Sequence, residues 1–227
     1  MQKYNFTIQQ KQCKIYSHDT PKYLLIQPVD DNDIEVLQNE AEEIEHHISA
    51  PFTLVTFRIY DWNSELSPWT ASPVFGKHDF GSGASDTLKF IETKIIPYII
   101  LQLNLSENIP VVIGGYSLAG LFALWSVYNS ERFSAAAAAS PSVWFPKWDE
   151  YMRLYSPKVD IVYLSLGDRE EKAKNKVIAA VGDRIREQYK LLKDYNCTLE
   201  WNEGNHFKEP DIRTAKAFVW CLQQLDK

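Results

Sequence analysis

The chain has 227 residues, a length that suits one α/β domain, and we expect residues 1–227 to form a single unit. Hydrophobic residues make up 45% of the sequence and charged residues 24%, a balance that supports a packed core and excludes a disordered chain. The formal net charge of −6 argues against nucleic-acid binding, which requires clustered lysines and arginines.

Two further features favour a cytoplasmic protein. The cysteines, which are three in number and lack CxxC spacing, predict reduced thiols without a disulfide framework. The N-terminal stretch has no apolar run typical of a signal peptide, and no apolar stretch is long enough to span a bilayer. We therefore expect no membrane contact, and the sequence leaves a homo-oligomer open.

The first half of the chain begins with two β-type runs. QCKIYS and KYLLIQPV flank the turn-like HDTP and together predict a hairpin. Apolar residues at helical spacing predict a helix from Ile34 to Ile48, and FTLVTFRIY predicts a buried strand after it. A loop rich in Trp, Ser and Pro then extends to Ser85, and the next predicted helix contains Pro97 as a kink.

The second half repeats a strand followed by a helix. The predicted strands are PVVIGGYS, FSAAAAASPS, VDIVYLSLGD and CTLEWNEGNHF, and a helix follows each of them. Crossover helices between strands indicate a mostly parallel sheet covered by helices on both faces. In such a sheet the functional side chains collect at the C-terminal ends of the strands.

Ser117 lies in the sequence GYSLAG, between a buried-type strand and an apolar helix. This context matches a nucleophile elbow, in which small flanking residues allow a strained turn to expose the serine hydroxyl. The N–H of Leu118 and the helix N-terminus would point at the same place, where negative charge develops in acyl transfer. The alternative is a plain turn serine, and the flanking strand and helix argue against it.

His206 is the candidate general base among five histidines. It follows the last predicted strand in the sequence NEGNHF, at the sheet edge from which a base must approach Ser117. His78, in the long loop, is the reserve candidate. His46 and His47 lie on a charged helix without an HExxH motif, which indicates a solvated helix face.

An acidic residue should orient the imidazole of His206 and stabilise its charged form. The order serine, acid, histidine places this residue between Ser117 and His206, at a strand end. The stretch GDREE offers Asp168, Glu170 and Glu171, and spacing alone leaves all three open.

These motifs resemble the esterase group of the α/β-hydrolase superfamily, which includes S-formylglutathione hydrolase-like enzymes, feruloyl esterases and siderophore esterases of the enterochelin-esterase type. The resemblance extends over most of the chain and rests on RIYDWNSELSPW, GSGASDTLKFIETKIIPYI, GGYSLAGLFALW, ASPSVWF and EGNHF. It implies the α/β-hydrolase fold and ester hydrolysis, and we expect neither a cofactor nor a metal. Ala119 departs from the glycine that many members carry, which is sterically tolerable.

The resemblance also bears on the acid and the oxyanion hole. The group often places its acid three residues after a strand-end glycine, which favours Glu170 after Gly167, with Asp168 as second choice. It supports a second oxyanion donor, besides Leu118, in the loop after FTLVTFRIY. That donor would be the N–H of Asp61 or Trp62.

Aromatic residues in the strand-end loops are candidates for contact with the substrate. They are Trp62, Trp69, Phe75, Trp144 and Phe145. In one interpretation they line an apolar or aromatic acyl pocket, and in the other they anchor the loops to the core.

The sequence therefore predicts a serine carboxylic-ester hydrolase that acts on a small-molecule ester. Two alternatives use the same fold: a thioesterase or peptidase with the same triad, and a hydrolase-like binding protein without turnover. Intact Ser117 and His206 argue against the binding protein, which needs neither residue. No patch rich in Lys and Arg for an anionic iron chelate is evident.

Overall fold

A single eight-stranded sheet forms the centre of the computed structural model, which describes residues 1–227. The strand order is β1-β2-β4-β3-β5-β6-β7-β8. The strands are β1 (Gln2–Ile8), β2 (Lys11–Ser17), β3 (Tyr23–Val29), β4 (Phe52–Arg58), β5 (Val111–Tyr116), β6 (Ala135–Ala139), β7 (Ile161–Gly167) and β8 (Asn196–Asn202). Pairing is antiparallel in β1–β2 and β2–β4 and parallel in every other pair. The predicted mostly parallel sheet is confirmed.

Helices cover both faces of this sheet. They are α1 (Asp31–His47), α2 (Trp62–Glu65), α3 (Ala84–Phe90), α4 (Ile96–Gln102), α5 (Leu118–Asn129), α6 (Trp148–Leu154), α7 (Lys176–Ala179), α8 (Val181–Leu191) and α9 (Pro210–Leu225). Side chains alternate along β3, so that Leu24 and Ile26 face the larger core with α5, while Leu25 faces the smaller core with α1 and α9. The prediction of helices on both faces is confirmed.

The predicted hairpin between QCKIYS and KYLLIQPV is wrong. These runs form β2 and β3, but β4 lies between them. All seven residues of β3 are buried, so β3 takes a central place between β4 and β5. The strand that forms a hairpin with β2 is instead β1, through a turn in which Gln9 and Gln10 have positive φ angles of 46° and 72°. Hairpin turns of this kind usually contain Asn or Gly, and the sequence signal was therefore absent.

The helix predicted around Pro97 is interrupted before the proline. A π-helical segment, Ile91–Ile95, joins α3 to α4, and Pro97 occupies the first turn of α4. Proline has no N–H to donate within a helix, so the regular hydrogen-bond pattern has to change near it. The structure contains no helix that is both long and apolar enough to cross a bilayer. Its three cysteines are free thiols.

Small residues on β5 and β6 allow helices to approach the centre of the sheet. The five residues of β6 are all alanine, and β5 contains Gly114 and Gly115. A Cβ atom added at Gly114 would lie 2.4 Å from Cζ of Phe218 on α9. Helix α9 is therefore fixed directly against the strand that leads to Ser117.

One residue of α1, Glu40, has its carboxyl group buried on the inner side of the helix. Glu40 is 3% exposed, accepts a 3.3 Å hydrogen bond from Nε2 of Gln27, and has a second oxygen without a partner. Burial raises the pKa of Glu40 well above its ordinary value; the Gln27 hydrogen bond opposes this, and the charges of Asp33 and Asp211 add to it. The folded chain therefore retains a proton here that the unfolded chain releases more readily.

The substitution Glu40→Gln should stabilise the protein increasingly as the pH rises. An ordinary glutamate in the unfolded chain loses its proton near about pH 4.3. Above this pH the raised pKa of Glu40 progressively lowers the free energy of unfolding of the wild type. The glutamine has no proton to release. Urea unfolding between about pH 4 and pH 8 measures the free energy of unfolding of both proteins. Glu35→Gln, on the exposed side of α1, is the control, and a pH-independent effect of Glu40→Gln would contradict the prediction.

Candidate active site

Ser117 lies in a strained turn between β5 and α5. Its φ and ψ angles are 59° and −120°, a conformation that is unfavourable for a residue with a side chain. The Ser117 N–H donates to the carbonyl of Ala139 at 3.1 Å, and its carbonyl accepts from the N–H of Ser142 at 3.0 Å. The turn is therefore held from the neighbouring strand end, which directs the hydroxyl to the C-terminal edge of the sheet.

The flanking small residues are required by direct contact. A Cβ atom on Gly115 would lie 2.6 Å from Cβ of Ala119 and 2.9 Å from the carbonyl carbon of Ala119. Ala119 itself fits, because Gly115 leaves the space that its methyl group occupies. The departure from the more usual glycine at 119 is thus accommodated within the turn.

His206 contacts the hydroxyl of Ser117. The distance from Nε2 of His206 to Oγ of Ser117 is 2.9 Å. The loop after β8 brings the histidine to this place, with Gly204 at a φ of 105° that favours glycine. The carbonyl of His206 also accepts a hydrogen bond from the hydroxyl of Tyr116 at 2.8 Å. Both the ring and the main chain of His206 are therefore fixed relative to the elbow.

Of the three candidate acids, the structure brings Glu170 to the imidazole. Oε2 of Glu170 lies 2.6 Å from Nδ1 of His206, and the Glu170 residue is 6% exposed. Asp168 instead accepts a hydrogen bond from the N–H of Gly204 at 2.8 Å, and Glu171 forms an ion pair with Arg186 at 2.8 Å. Asp168 thus supports the loop that carries the histidine, while Glu171 lies in a separate contact.

The second oxygen of Glu170 faces the interior of the protein. Oε1 accepts from the N–H of Gly167 at 2.8 Å and from Nη1 of Arg213 at 3.3 Å. Arg213 also donates to the hydroxyl of Tyr116 at 3.0 Å. Burial, together with the nearby charge of Glu170, raises the pKa of Tyr116 to about 12, so this hydroxyl stays neutral at ordinary pH.

The N–H groups of Asp61 and Trp62, the two predicted candidates for a second oxyanion donor, differ in whether they already have an acceptor in the protein. The N–H of Asp61 donates to Oε1 of Glu65 at 3.0 Å, and its carboxylate accepts from the N–H of Ser64 at the start of α2. Asp61 is therefore occupied by local hydrogen bonds. Trp62 is the first residue of α2, and Leu118 is the first residue of α5. The first N–H groups of a helix have no acceptor within that helix, so both could face a ligand.

The predicted aromatic residues differ in their exposure. Phe145 has no exposed surface and packs against Phe80, with ring centroids 5.1 Å apart, as the anchoring interpretation expects. Trp144 is also buried, whereas Trp62 and Trp69 are half-buried. Nε1 of Trp69 donates to the carbonyl of Pro146 at 2.8 Å. These contacts support the anchoring interpretation for Trp144 and Phe145.

His78 and Phe207 lie on the surface of the protein, and Arg213 lies in its interior. His78 lies on an exposed loop, and its ring makes no hydrogen bond with Ser117. Phe207 is 86% exposed and stands edge-on to His206, with ring centroids 5.6 Å apart. Its position directly after the candidate histidine could have indicated from sequence that Phe207 lies beside the site.

Nothing in the sequence marks Arg213 as part of the site, because its contacts with Glu170 and Tyr116 form only when α9 packs on the sheet.

A sequence comparison identifies the family. A family model described as "Putative esterase" matches residues 19–209. The chain belongs to this esterase family. It is accordingly a hydrolase, as the sequence predicted. A search of curated proteins gave no match.

Solved structures similar to this esterase family member share its fold at low sequence identity. Siderophore hydrolase EstA from Aspergillus nidulans matches with a TM-score of 0.72 and 17% identity over 100% of this chain and 95% of the other. An IroE-like serine hydrolase from Shewanella oneidensis matches with 0.75 and 15% over 96% and 79%. The enterobactin esterase FES from Shigella flexneri matches with 0.69 and 14% over 99% and 59%. The α/β-hydrolase fold that the sequence predicted is confirmed.

The substitution Gly115→Ala should destabilise the fold of this esterase family member by about 1–3 kcal/mol, because the added methyl group overlaps Ala119. Urea unfolding measures the loss. The double variant Gly115→Ala, Ala119→Gly removes the contact between the two Cβ atoms and should recover part of the stability. Equal stability of wild type and Gly115→Ala would contradict the close packing of Gly115 against Ala119.

Proposed function

We propose that the protein is a serine carboxylic-ester hydrolase in which Ser117 is the nucleophile, His206 the general base and Glu170 the acid that orients the imidazole. The main support is the continuous hydrogen-bonded path from Oγ of Ser117 through His206 to Glu170, with distances of 2.9 Å and 2.6 Å. This is the geometry that a serine needs to be activated at neutral pH. Membership of the esterase family supports the same reaction class.

In the acylation step the Ser117 oxygen attacks the ester carbonyl carbon as Nε2 of His206 takes the hydroxyl proton. The carbonyl π electrons move to oxygen, and the N–H groups of Leu118 and Trp62 stabilise the resulting oxyanion. Loss of one such donor typically costs about 3 kcal/mol of transition-state stabilisation. Glu170 remains ionised and holds the Nδ1 proton of the imidazolium.

The same groups then act in reverse to release the products. When the tetrahedral intermediate collapses, the bond to the leaving alkoxide breaks and His206 gives it the proton, which releases an alcohol and leaves an acyl-enzyme on Ser117. A water molecule next gives a proton to His206 and attacks the acyl carbon. Collapse of the second intermediate returns the proton to Ser117 and releases the carboxylic acid.

We propose a small-molecule ester as the substrate. Phe207 presents an exposed aromatic ring beside the imidazole that protonates the leaving group, and the His206 side chain itself is 29% exposed. An exposed aromatic face suits a ligand with an apolar or aromatic part. The similar structures include a siderophore hydrolase and an enterobactin esterase, which supports ester cleavage as the chemistry.

The substitution Ser117→Ala should abolish hydrolysis of p-nitrophenyl butyrate, because no nucleophile then forms the acyl-enzyme. We expect kcat to fall by about 10⁴-fold or more, with the folded state retained by circular dichroism. Acetyl, octanoyl and feruloyl esters, tested beside a thioester and a peptide, rank the acyl and leaving-group preference. Equal rates for wild type and Ser117→Ala would refute the proposed function.

The substitutions Glu170→Gln and Asp168→Asn separate the two acids that the sequence left open. Glu170→Gln removes the negative charge that stabilises the imidazolium and introduces an amide N–H that can favour the wrong tautomer of His206, so it should lower kcat by about 10²- to 10⁴-fold. Asp168→Asn keeps an oxygen that can accept from the Gly204 N–H, so its effect should be at least about 10-fold smaller. Steady-state kinetics on the same ester measures both, and a larger loss for Asp168→Asn would reverse the assignment.

A further inference from the structure

Arg213 on α9 is almost completely inside the protein. It is 2% exposed and is among the largest fully buried side chains. Its guanidinium donates to four groups: Glu170, the Tyr116 hydroxyl, the Ser140 hydroxyl at 3.5 Å and the Glu203 carbonyl at 2.9 Å. Three of these acceptors are neutral. The carboxylate of Glu170 is the one anionic group within 4.0 Å, so it is the counterion of this buried charge.

Arg213 is in turn the positive charge that compensates the buried carboxylate of Glu170. A buried carboxylate is stable as an anion only when a positive charge and hydrogen bonds compensate its lost hydration. In the resting enzyme the imidazole of His206 is the proton acceptor and is therefore neutral, so it supplies no positive charge. The guanidinium of Arg213, on the opposite side of the carboxylate from His206, supplies that charge.

Arg213 is also connected to the main chain of the histidine. Its Nη1 donates to the Tyr116 hydroxyl, which in turn donates to the carbonyl of His206. Tyr116 is the residue immediately before Ser117, so its own position is set by the elbow. One guanidinium group thus contacts the acid directly, the start of the histidine loop through the Glu203 carbonyl, and the His206 carbonyl through one neutral hydroxyl.

We infer that Arg213 is a positioning residue that keeps Glu170 ionised and aligned against His206 before the proton transfer. This inference rests on the proposed function of the Ser117 site. Because Arg213 is a permanent cation, it also opposes the addition of a second positive charge on His206. The enzyme should therefore keep a neutral, active imidazole at a lower pH than it would without Arg213.

The charged and titratable groups around this pair come from four elements. Glu170 follows β7, Tyr116 ends β5, His206 follows β8 and Arg213 belongs to α9. Glu203 contributes only its carbonyl, since its carboxylate pairs with Lys208 at 3.3 Å. Asp168 accepts from Gly204 on the outer side of the loop and makes no contact with Arg213. Loss of the guanidinium therefore leaves Glu170 and His206 to share any added proton.

The substitution Arg213→Met tests the charge. We expect kcat/KM to fall by about 10- to 100-fold, the range typical of residues that act through a reacting side chain. The acid limb of the kcat/KM profile should move to higher pH, because the pair of Glu170 and His206 then takes up a proton more readily. Arg213→Lys should keep the wild-type acid limb while recovering only part of the rate, because one ammonium group cannot reach all the acceptors.

Two control variants separate positioning from a general loss of stability. Leu222→Ala removes a buried side chain from the same helix, away from the triad, so it should lower stability without moving the acid limb. Tyr116→Phe breaks the connection to the His206 carbonyl but keeps the guanidinium. It should lower kcat and leave the acid limb in place. An acid limb of Arg213→Met that coincides with that of wild type, or that Leu222→Ala also shifts, would overturn the inference.

A measurement that needs no turnover separates this inference from the proposed function. In the Ser117→Ala background, proton NMR can follow the low-field signal of the Nδ1 proton between His206 and Glu170 as the pH changes. Adding Arg213→Met should move the imidazole titration to higher pH. If Ser117→Ala hydrolyses esters like wild type, the proposed function fails while this titration still decides the role of Arg213. An unchanged titration would overturn that role even in an active esterase.

Discussion

The backbone of Ser117 adopts a conformation that its surroundings impose, and the other groups of the site have to meet the hydroxyl that it presents. Gly115 and Gly120 let β5, α5 and the end of β6 approach so closely that an added Cβ would lie within 3.0 Å of a neighbouring atom at both positions. Such packing compensates the unfavourable φ and ψ of one residue through many contacts elsewhere. The hydroxyl is thereby presented at a fixed point, to which the loops after the other strands can be adjusted.

Those loops reach the same point because parallel strands end at one edge of the sheet. Glu170 follows β7 and His206 follows β8, and the two strands are adjacent in the sheet. A hydrogen bond between Asp168 and Gly204 joins the two loops, so the loop with the acid and the loop with the histidine are linked directly. The geometry of the site is therefore a property of neighbouring strands more than of any single motif.

Local patterns in the sequence were sufficient to predict much of the fold and of the candidate site. Apolar runs, turn residues and the small residues around Ser117 predicted the alternating elements, the mostly parallel sheet and the elbow. The GDREE stretch and NEGNHF followed the last two strands, so proximity of their side chains to Ser117 could be expected. The structure brings Ser117, His206 and Glu170 together by hydrogen bonds.

Other features depend on contacts that no local pattern reports. The turn at Gln9 and Gln10 lacks the usual hairpin residues, so the pairing of β1 with β2 was not foreseen. Phe145 is buried because Phe80, distant in sequence, packs against it. The Asp61 N–H is occupied because Glu65 turns back towards it, which changes the choice of oxyanion donor. The sequence around Arg213 is typical of an ordinary helix, and its burial depends on the packing of α9 against the sheet.

The buried cation of the site lies on a helix, whereas the other polar groups follow strands. Ser117, Glu170 and His206 come after β5, β7 and β8, but Arg213 belongs to α9. Arg213 reaches Glu170 because α9 packs on the sheet, with Phe218 against Gly114. The electrostatic setting of the histidine is therefore tied to the tertiary packing of α9, so any change that loosens this helix also alters the chemistry at the sheet edge.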